Sequence, residues 1–279
     1  MGRAITALVP TYRGDNSDEL YQSIRSLLNQ TRLPDEIVVV EDGPLTTNLS
    51  KTLDRLQGEA PIPLRRVQLE ENVGQGKARR VGVEEAAGEW ITIHDADDIA
   101  VPNRIELSRQ ALDEHDADLV GGYIEEFESD PSHPHAVREV PCDPEEIERM
   151  AKIRSPINQT TVTARRSAIL DAGNYRAVNR MEDYGLWVRM ISEGFELRNV
   201  PEVLAKVRAG RSMYGRRGGL KYAQEEIRVQ RLFRELGFVS RRRGVANVSL
   251  RTIPRLLPTS IRAKLYETFL REGTGARIK

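Results

Sequence analysis

The sequence predicts an α/β fold, a mostly parallel sheet with helices on both faces, followed by a basic helical C-terminal extension. Three observations carry that expectation. Across the first two hundred residues, short apolar runs rich in Ile, Leu and Val alternate with amphipathic segments, which is the pattern of βα units. Polar and acidic residues gather where the apolar runs stop, and ligands bind at that carboxyl edge of such sheets. The charge is divided: residues 1–200 hold 23 of the 42 Lys+Arg and 36 of the 42 Asp+Glu, a net −13, which leaves +13 for residues 201–279 of a chain that is neutral overall.

In order along the chain, AITALVP (4–10) reads as a buried strand and SDELYQSIRSLLNQ (17–30) as a helix with Ser17 at its N-cap. EIVVVED (36–42) is a second strand, LRRVQLE (64–70) a third, and GQGKARRVGVEEAA (74–87) a helix. EWITIHD (89–95) is a fourth strand, RIELSRQALDEH (104–115) a helix, and ADLVGGYIEEF (117–127) a strand or hairpin. FESDPSHPHAVREVPCDPEE (127–146) is rich in Pro and acids and reads as a loop, with His133 and His135 exposed. RMEDYGLWVR (180–189) has a helical apolar face with Glu182 and Asp183 in its first turn, where acids favour the helix dipole.

With 279 residues, 39% of them hydrophobic, the chain is long enough for one large domain plus an appendage. Cys142 is the one cysteine, so no intrachain disulfide forms, and it reads as unreactive. No apolar run approaches the roughly 20 residues that cross a bilayer, and MGRAITALVP does not have the pattern of a signal peptide. The expectation is a soluble, cytoplasmic protein.

The densest chemistry is Asp95, Asp97 and Asp98 within HDADD. Carboxylates this close raise one another's pKa unless a cation or hydrogen-bond donors neutralise them. Turn chemistry accounts for any single acidic strand end. Here three polar strand ends converge: Pro10-Thr11-Tyr12 ends the first strand, Glu41-Asp42-Gly43 the second, and the aspartates the fourth. His94 reads as a strand-end residue rather than a ligand, because hard cations prefer oxygen.

Five stretches in order, VPTYR (9–13), SIRSLLNQT with PDEIVVVEDG (23–43), ENVGQGKARRVGV (71–83), AAGEWITIHDADDIAVPNRIE (86–106) and RMEDYGLWVRMISEG (180–194), resemble the family 2 glycosyltransferases. The resemblance spans roughly residues 3–210 and implies the Rossmann-like GT-A fold, with a GT-A domain at 1–210 and a basic amphipathic helical region at 211–279. It implies a nucleotide-sugar donor, with uridine the expected base, and Mg²⁺ or Mn²⁺ as cofactor. By the same resemblance Pro10, Thr11, Tyr12, Asp42, Gly74, Arg79 and Asp95 bind the donor, Asp97 reaches the metal, and Asp183 is the general base of a single, inverting displacement. Glu41, Lys77, Asp98, Glu182, Arg208 and Arg211 are secondary candidates. Glu41 stands where the family more often has a second aspartate, and Lys77 also reads as a solvated helix cation.

No QxxRW follows the ED pair and no membrane spans flank the domain, so transfer of a single sugar is expected, in cell-surface glycan or lipid-linked oligosaccharide assembly. The basic tail has two open readings. LKYAQEEIRVQRLFRELG (220–237), with Tyr222, Ile227, Leu232 and Leu236 apolar, and VSLRTIPRLLPTSIRAKLYETFLR (248–271) either pack on the body or lie peripherally on an anionic inner membrane face. On the membrane reading, truncation after Arg208 leaves a folded domain. Nucleic acid is not an expected partner, because aromatic stacking positions are sparse. The alternatives are a catalytically silent nucleotide-sugar-binding scaffold and a nucleotidyltransferase; the latter lacks a glycine-rich, lysine-bearing loop after the first strand.

Overall fold

A computed structural model describes residues 4–176, 181–209 and 220–256. Strand β1 (Ile5–Tyr12) lies in parallel between β2 (Glu36–Asp42) and β4 (Trp90–Ile93), and β3 (Leu64–Gln68) extends β2, also in parallel. The register sets Tyr12 beside Asp42 and Leu8 beside Ile93. All three polar strand ends, of β1, β2 and β4, therefore open on one edge of the sheet.

Beyond β4 the sheet is mixed. The neighbours β8 (Thr163–Arg165) and β6 (Leu119–Phe127) run antiparallel to each other, and β8 runs antiparallel to β4. β9 (Leu197–Arg208) is parallel to β6, while β5 (Ile99–Ala100) and β7 (Ala136–Arg138) add antiparallel edges to β9 and β6. The order is β3-β2-β1-β4-β8-β6-β9-β5. The expected parallel character holds for the first four strands and again for the β6–β9 pair, which runs in the same direction; β8, β5 and β7 are the reversed strands. Apolarity records that Ala164 and Val120 are buried, and a strand of either direction buries them equally.

Side chains alternate across the pleat. Ala7, Val9, Ile37 and Val39 face α1 (Ser17–Leu28) and α2 (Thr47–Glu59), meeting Leu20, Ile24, Leu27, Leu49, Leu53 and Leu56. Leu8, Val38, Val40, Ile91 and Ile93 face α3 (Gln75–Glu85), α6 (Arg166–Asp171) and α7 (Glu182–Ser192) through Ala78, Val83, Ile169, Leu186 and Trp187. The cap of α1 is Asn16 rather than Ser17, its side chain accepting from the amides of Asp18 and Glu19. α4 (Arg104–His115) closes a third cluster over Trp90 through Ile105 and Leu112.

The acidic loop contains a helix, α5 (Pro144–Ala151), which opens on Pro at its first turn. α8 (Leu220–Glu235) packs on α5 and α7 through Ala151, Met181, Tyr184, Val188, Val229, Phe233 and Val239. The predicted apolar face of α8 is rotated: Ile227 is 50% and Leu236 38% exposed, while Leu232 is partly buried and Tyr222 lies outside the side chains described. Polar residues set that phase. Buried Glu226 accepts from Arg251 of α9 (Arg241–Leu256) at 2.9 Å, and Gln230 accepts from Asn247 at 3.0 Å. Asn247 also donates to the carbonyl of Lys152 at 2.9 Å. Among the described residues no helix is long and apolar enough to cross a membrane.

Candidate functional site

The end of β1 turns through a short loop whose Asp15 accepts from the Thr11 hydroxyl at 2.9 Å and the Tyr12 amide at 3.0 Å. Pro10 and Thr11 are buried, and the Tyr12 ring is 42% exposed beside them. One strand over, buried Asp42 accepts from the amides of Val73 at 2.6 Å and Gly74 at 3.0 Å. Gly74 adopts φ 88°, a left-handed conformation that glycine takes without strain, and so starts α3 directly against Asp42. Glu41 turns away to an ion pair with Arg66 at the outer sheet edge. Lys77 is exposed on α3.

Arg79, on the next turn of α3, is 2% exposed and spans two acids. One terminal nitrogen donates to Asp95 at 2.6 Å, the other to Glu182 at 2.8 Å. Burial works against its charge, but Asp95 and Glu182 outweigh burial and raise its pKa. Arg79 therefore joins the β4 end to α7, with both terminal nitrogens engaged by carboxylates.

The aspartate turn is held from below. The Ser23 hydroxyl donates to the Asp95 carbonyl at 2.9 Å, and Arg104, fully buried at the start of α4, donates to His94 Nδ1 at 2.8 Å and the Ile93 carbonyl at 2.6 Å. Because Arg104 only donates, Nδ1 accepts and Nε2 carries the proton to the Asp98 carbonyl, 3.2 Å away. Burial first, and Arg104 second, hold the His94 pKa well down. His94 is thus a structural pin, as expected of a strand-end residue.

The acids themselves carry an excess of negative charge. Burial, then repulsion from Asp95, Asp15 and Glu19, pushes the Asp97 carboxyl up to about 6. Asp98 is held well above the usual carboxylate range by burial and by Asp97 and Asp95, although Thr160 and the Arg208 amide, 3.3 Å away, donate to it. Hard oxygen donors with unneutralised charge are the setting for Mg²⁺ or Mn²⁺, and partly exposed Asp97 suits it. Among the described residues no three-ligand cluster stands ready. That fits ions that one or two carboxylates hold together with substrate phosphates.

Asp183 lies in the first turn of α7. Burial raises its carboxyl, while the Tyr184 amide and Arg79 pull it back and Asp95 adds repulsion. The structure thus joins Asp95, Arg79, Glu182 and Asp183 in one electrostatic neighbourhood. The Arg208 guanidinium is drawn off to Glu19 at 3.0 Å and lies 4.8 Å over the Phe127 ring. Arg211 lies outside the described residues.

The sequence alone gives Asp15, Ser23, Thr160 and Arg104 no role in the site. The acid of YRGDN following a strand is a local signal for Asp15. The links of Ser23 and Thr160 to Asp95 cross 72 and 65 residues, a distance no local pattern reports.

Residues 6–173 match the model of glycosyl transferase family 2. An uncharacterised glycosyltransferase of Haemophilus influenzae is 36% identical over 268 residues, 96% of this chain and 99% of that one. The amylovoran biosynthesis glycosyltransferase AmsE of Erwinia amylovora is 34% identical, covering 94% of this chain and 97% of its own. The UDP-Gal:α-D-GlcNAc-diphosphoundecaprenol β-1,3-galactosyltransferase of Escherichia coli is 30% identical, with 95% and 96% covered. Among solved structures, Staphylococcus aureus TarS (residues 1–349) with UDP-GlcNAc superposes with a TM-score of 0.66 at 17% identity over 95% of this chain and 76% of that chain. Mannosyltransferase PcManGT of Pyrobaculum calidifontis with GDP-Man and Mn²⁺ superposes with a TM-score of 0.63 at 15% identity, covering 97% and 80%. At these identities the last two report the fold alone.

Proposed function

The chain belongs to glycosyl transferase family 2, and from that premise we propose that it moves one sugar from a UDP-sugar to a hydroxyl of a lipid-linked acceptor, with inversion. The observation that carries the proposal is the Asp95–Arg79–Glu182 link, which ties the acids at the β4 end to the helix that begins with Asp183. A UDP-sugar and a diphosphoundecaprenol-linked sugar are named for the Escherichia coli relative. Those two chemistries are what we carry over.

In the proposed mechanism the uracil and ribose lie between Tyr12, Thr11, Asp42 and the Gly74 turn, with Asp95 on the ribose. Asp97, together with the diphosphate, would hold Mg²⁺ or Mn²⁺. When bound, such an ion neutralises negative charge that grows on the leaving diphosphate. Asp183 accepts the proton of the acceptor hydroxyl as that oxygen attacks the anomeric carbon. The bond from that carbon to the UDP oxygen breaks, and UDP leaves with the electron pair. Burial raises the Asp183 pKa, which makes it a better proton acceptor than an exposed carboxylate.

Incubation with UDP-, GDP- and dTDP-sugars and Mn²⁺, scoring nucleoside diphosphate against pyrophosphate, tests the reading. UDP release from UDP-galactose or UDP-GlcNAc supports it; pyrophosphate release, or no turnover with any donor, removes it. We propose that the exposed arginines Arg241, Arg242 and Arg243 at the start of α9, a helix that itself packs on the body, hold the enzyme peripherally at the inner membrane face. Salt-sensitive co-sedimentation of the full chain with anionic but not neutral vesicles is the expected result, and equal binding to both defeats that placement.

A further inference from the structure

We propose that Arg79 and Glu182 form a positioning strut, which sets where the Asp183 carboxylate stands relative to the donor pocket. The inference rests on the base role given to Asp183 above. Both terminal nitrogens of Arg79 are spent on Asp95, at 2.6 Å, and Glu182, at 2.8 Å, and Arg79 and Glu182 are both buried. Glu182 is the first residue of α7 and Asp183 the next. Fixing the Glu182 carboxylate therefore fixes the first turn that presents Asp183.

A second feature of α3 supports this. A Cβ at Gly76 would stand 3.1 Å from both Cβ and Cγ of Glu182, so the missing side chain is what lets α3 and Glu182 meet. The same helix begins on Asp42 through the Val73 and Gly74 amides. One helix thus bears on Asp42, Asp95 and Glu182, two residues of the donor pocket and the neighbour of the base. Buried ion groups of this kind contribute little net stability compared with apolar packing. Their effect here is on geometry. Glu182 touches no reacting atom in this scheme and acts only through Asp183.

The test is a double-mutant cycle of Glu182→Gln and Asp183→Asn, followed as kcat with the nucleotide sugar selected by the donor panel, and as affinity for UDP with Mn²⁺ by calorimetry. Glu182→Gln keeps the shape and removes the charge that Arg79 grips. It is expected to lower kcat about 10- to 100-fold, the scale of a misplacement near 1 Å, while UDP affinity stays within about twofold, the scatter expected when no binding contact is lost. The double variant is expected to be no slower than Asp183→Asn alone, because a strut has nothing left to position. Multiplying effects overturn the strut and leave the base in place. An Asp183→Asn variant as fast as the parent, or a parent that turns over no donor, removes the function reading and the strut with it. Should Glu182→Gln not fold, Gly76→Ala, which presses on Glu182 from α3, replaces it in the same cycle under the same criteria.

Discussion

Phe233→Ala is expected to destabilise the entire protein, although Phe233 lies in the segment that charge and composition set apart as a tail. Its side chain is fully buried, its ring 4.7 Å from that of Tyr184 at 78° and 6.1 Å from that of Phe238 at 71°. Val229, Val239, Met181 and Val188 complete the cluster. Removing a buried phenyl from such a site costs about 3 to 5 kcal/mol in lost transfer energy and residual cavity. Edge-on ring pairs account for about 0.5 to 1.5 kcal/mol of that loss. Against a total stability of roughly 5 to 15 kcal/mol this is a large share, and a melting temperature lower by on the order of 10 °C follows. Urea unfolding read by the fluorescence of Trp187, which lies on α7, is the assay. One transition with an earlier midpoint and an unchanged slope is expected. A loss under about 1 kcal/mol, the level of an ordinary surface substitution, or a separate early transition that leaves the Trp187 signal untouched, would refute the reasoning. For the same reason, truncation after Arg208, which on the membrane reading of the tail should leave a folded domain, uncovers Tyr184, Val188 and Met181 and is expected to yield an unstable product.

Three further outcomes are expected. The native Asp97 carboxyl sits at about 6 instead of 3.8, so the native state binds that proton more tightly than the unfolded chain and the ligand-free protein loses stability as pH rises through that window. Asp97→Asn should remove that slope and, without nucleotide or metal, melt higher than the parent at pH 7, by at most about 3 kcal/mol; an equal or lower melt counts against it, and UDP with Mn²⁺ should no longer raise the melting temperature. Asp183→Asn should keep its calorimetric affinity for UDP and lose about 10²- to 10⁴-fold in kcat, whereas a parent-like rate makes Asp183 a helix-start acid only. Asp42→Ala strands the Val73 and Gly74 amides, so a loss of about 1 to 3 kcal/mol by denaturant unfolding together with weaker UDP binding is expected, and retention of both sinks the assignment.

What was legible in the sequence follows from range. β2 and α4 occur at their predicted bounds: a continuous apolar run marks the first, and Ile105, Ser108, Ala111 and Leu112 at helical spacing mark the second. Helix α2 carries a local signal too, Leu49, Leu53 and Leu56 behind the Thr46 cap, yet no element is expected there. β9 was hidden differently: LRNVPEVLAKVR is interrupted by proline and charge, and it forms because β6 offers a parallel partner along its length. In the candidate site, the strand-end acids were visible as clusters. The partners that orient them, Arg104 for His94 and Thr160 for Asp95 and Asp98, became visible only in three dimensions. Arg79 was picked out by its motif, yet its two carboxylate partners lie 16 and 103 residues away.

Those two separations also order events in time. A ribosome adding about 5 to 20 residues per second delivers Asp95 within seconds of Arg79. Glu182 emerges about 5 to 20 s after Arg79 at that pace, once the first four strands are already available to pair. For that interval the nascent protein holds an arginine with one acid in hand and one still to be made. Closing the second bond therefore waits for the later-made partner, and a chain arrested before Glu182 would carry Arg79 and Asp95 without Glu182 or Asp183.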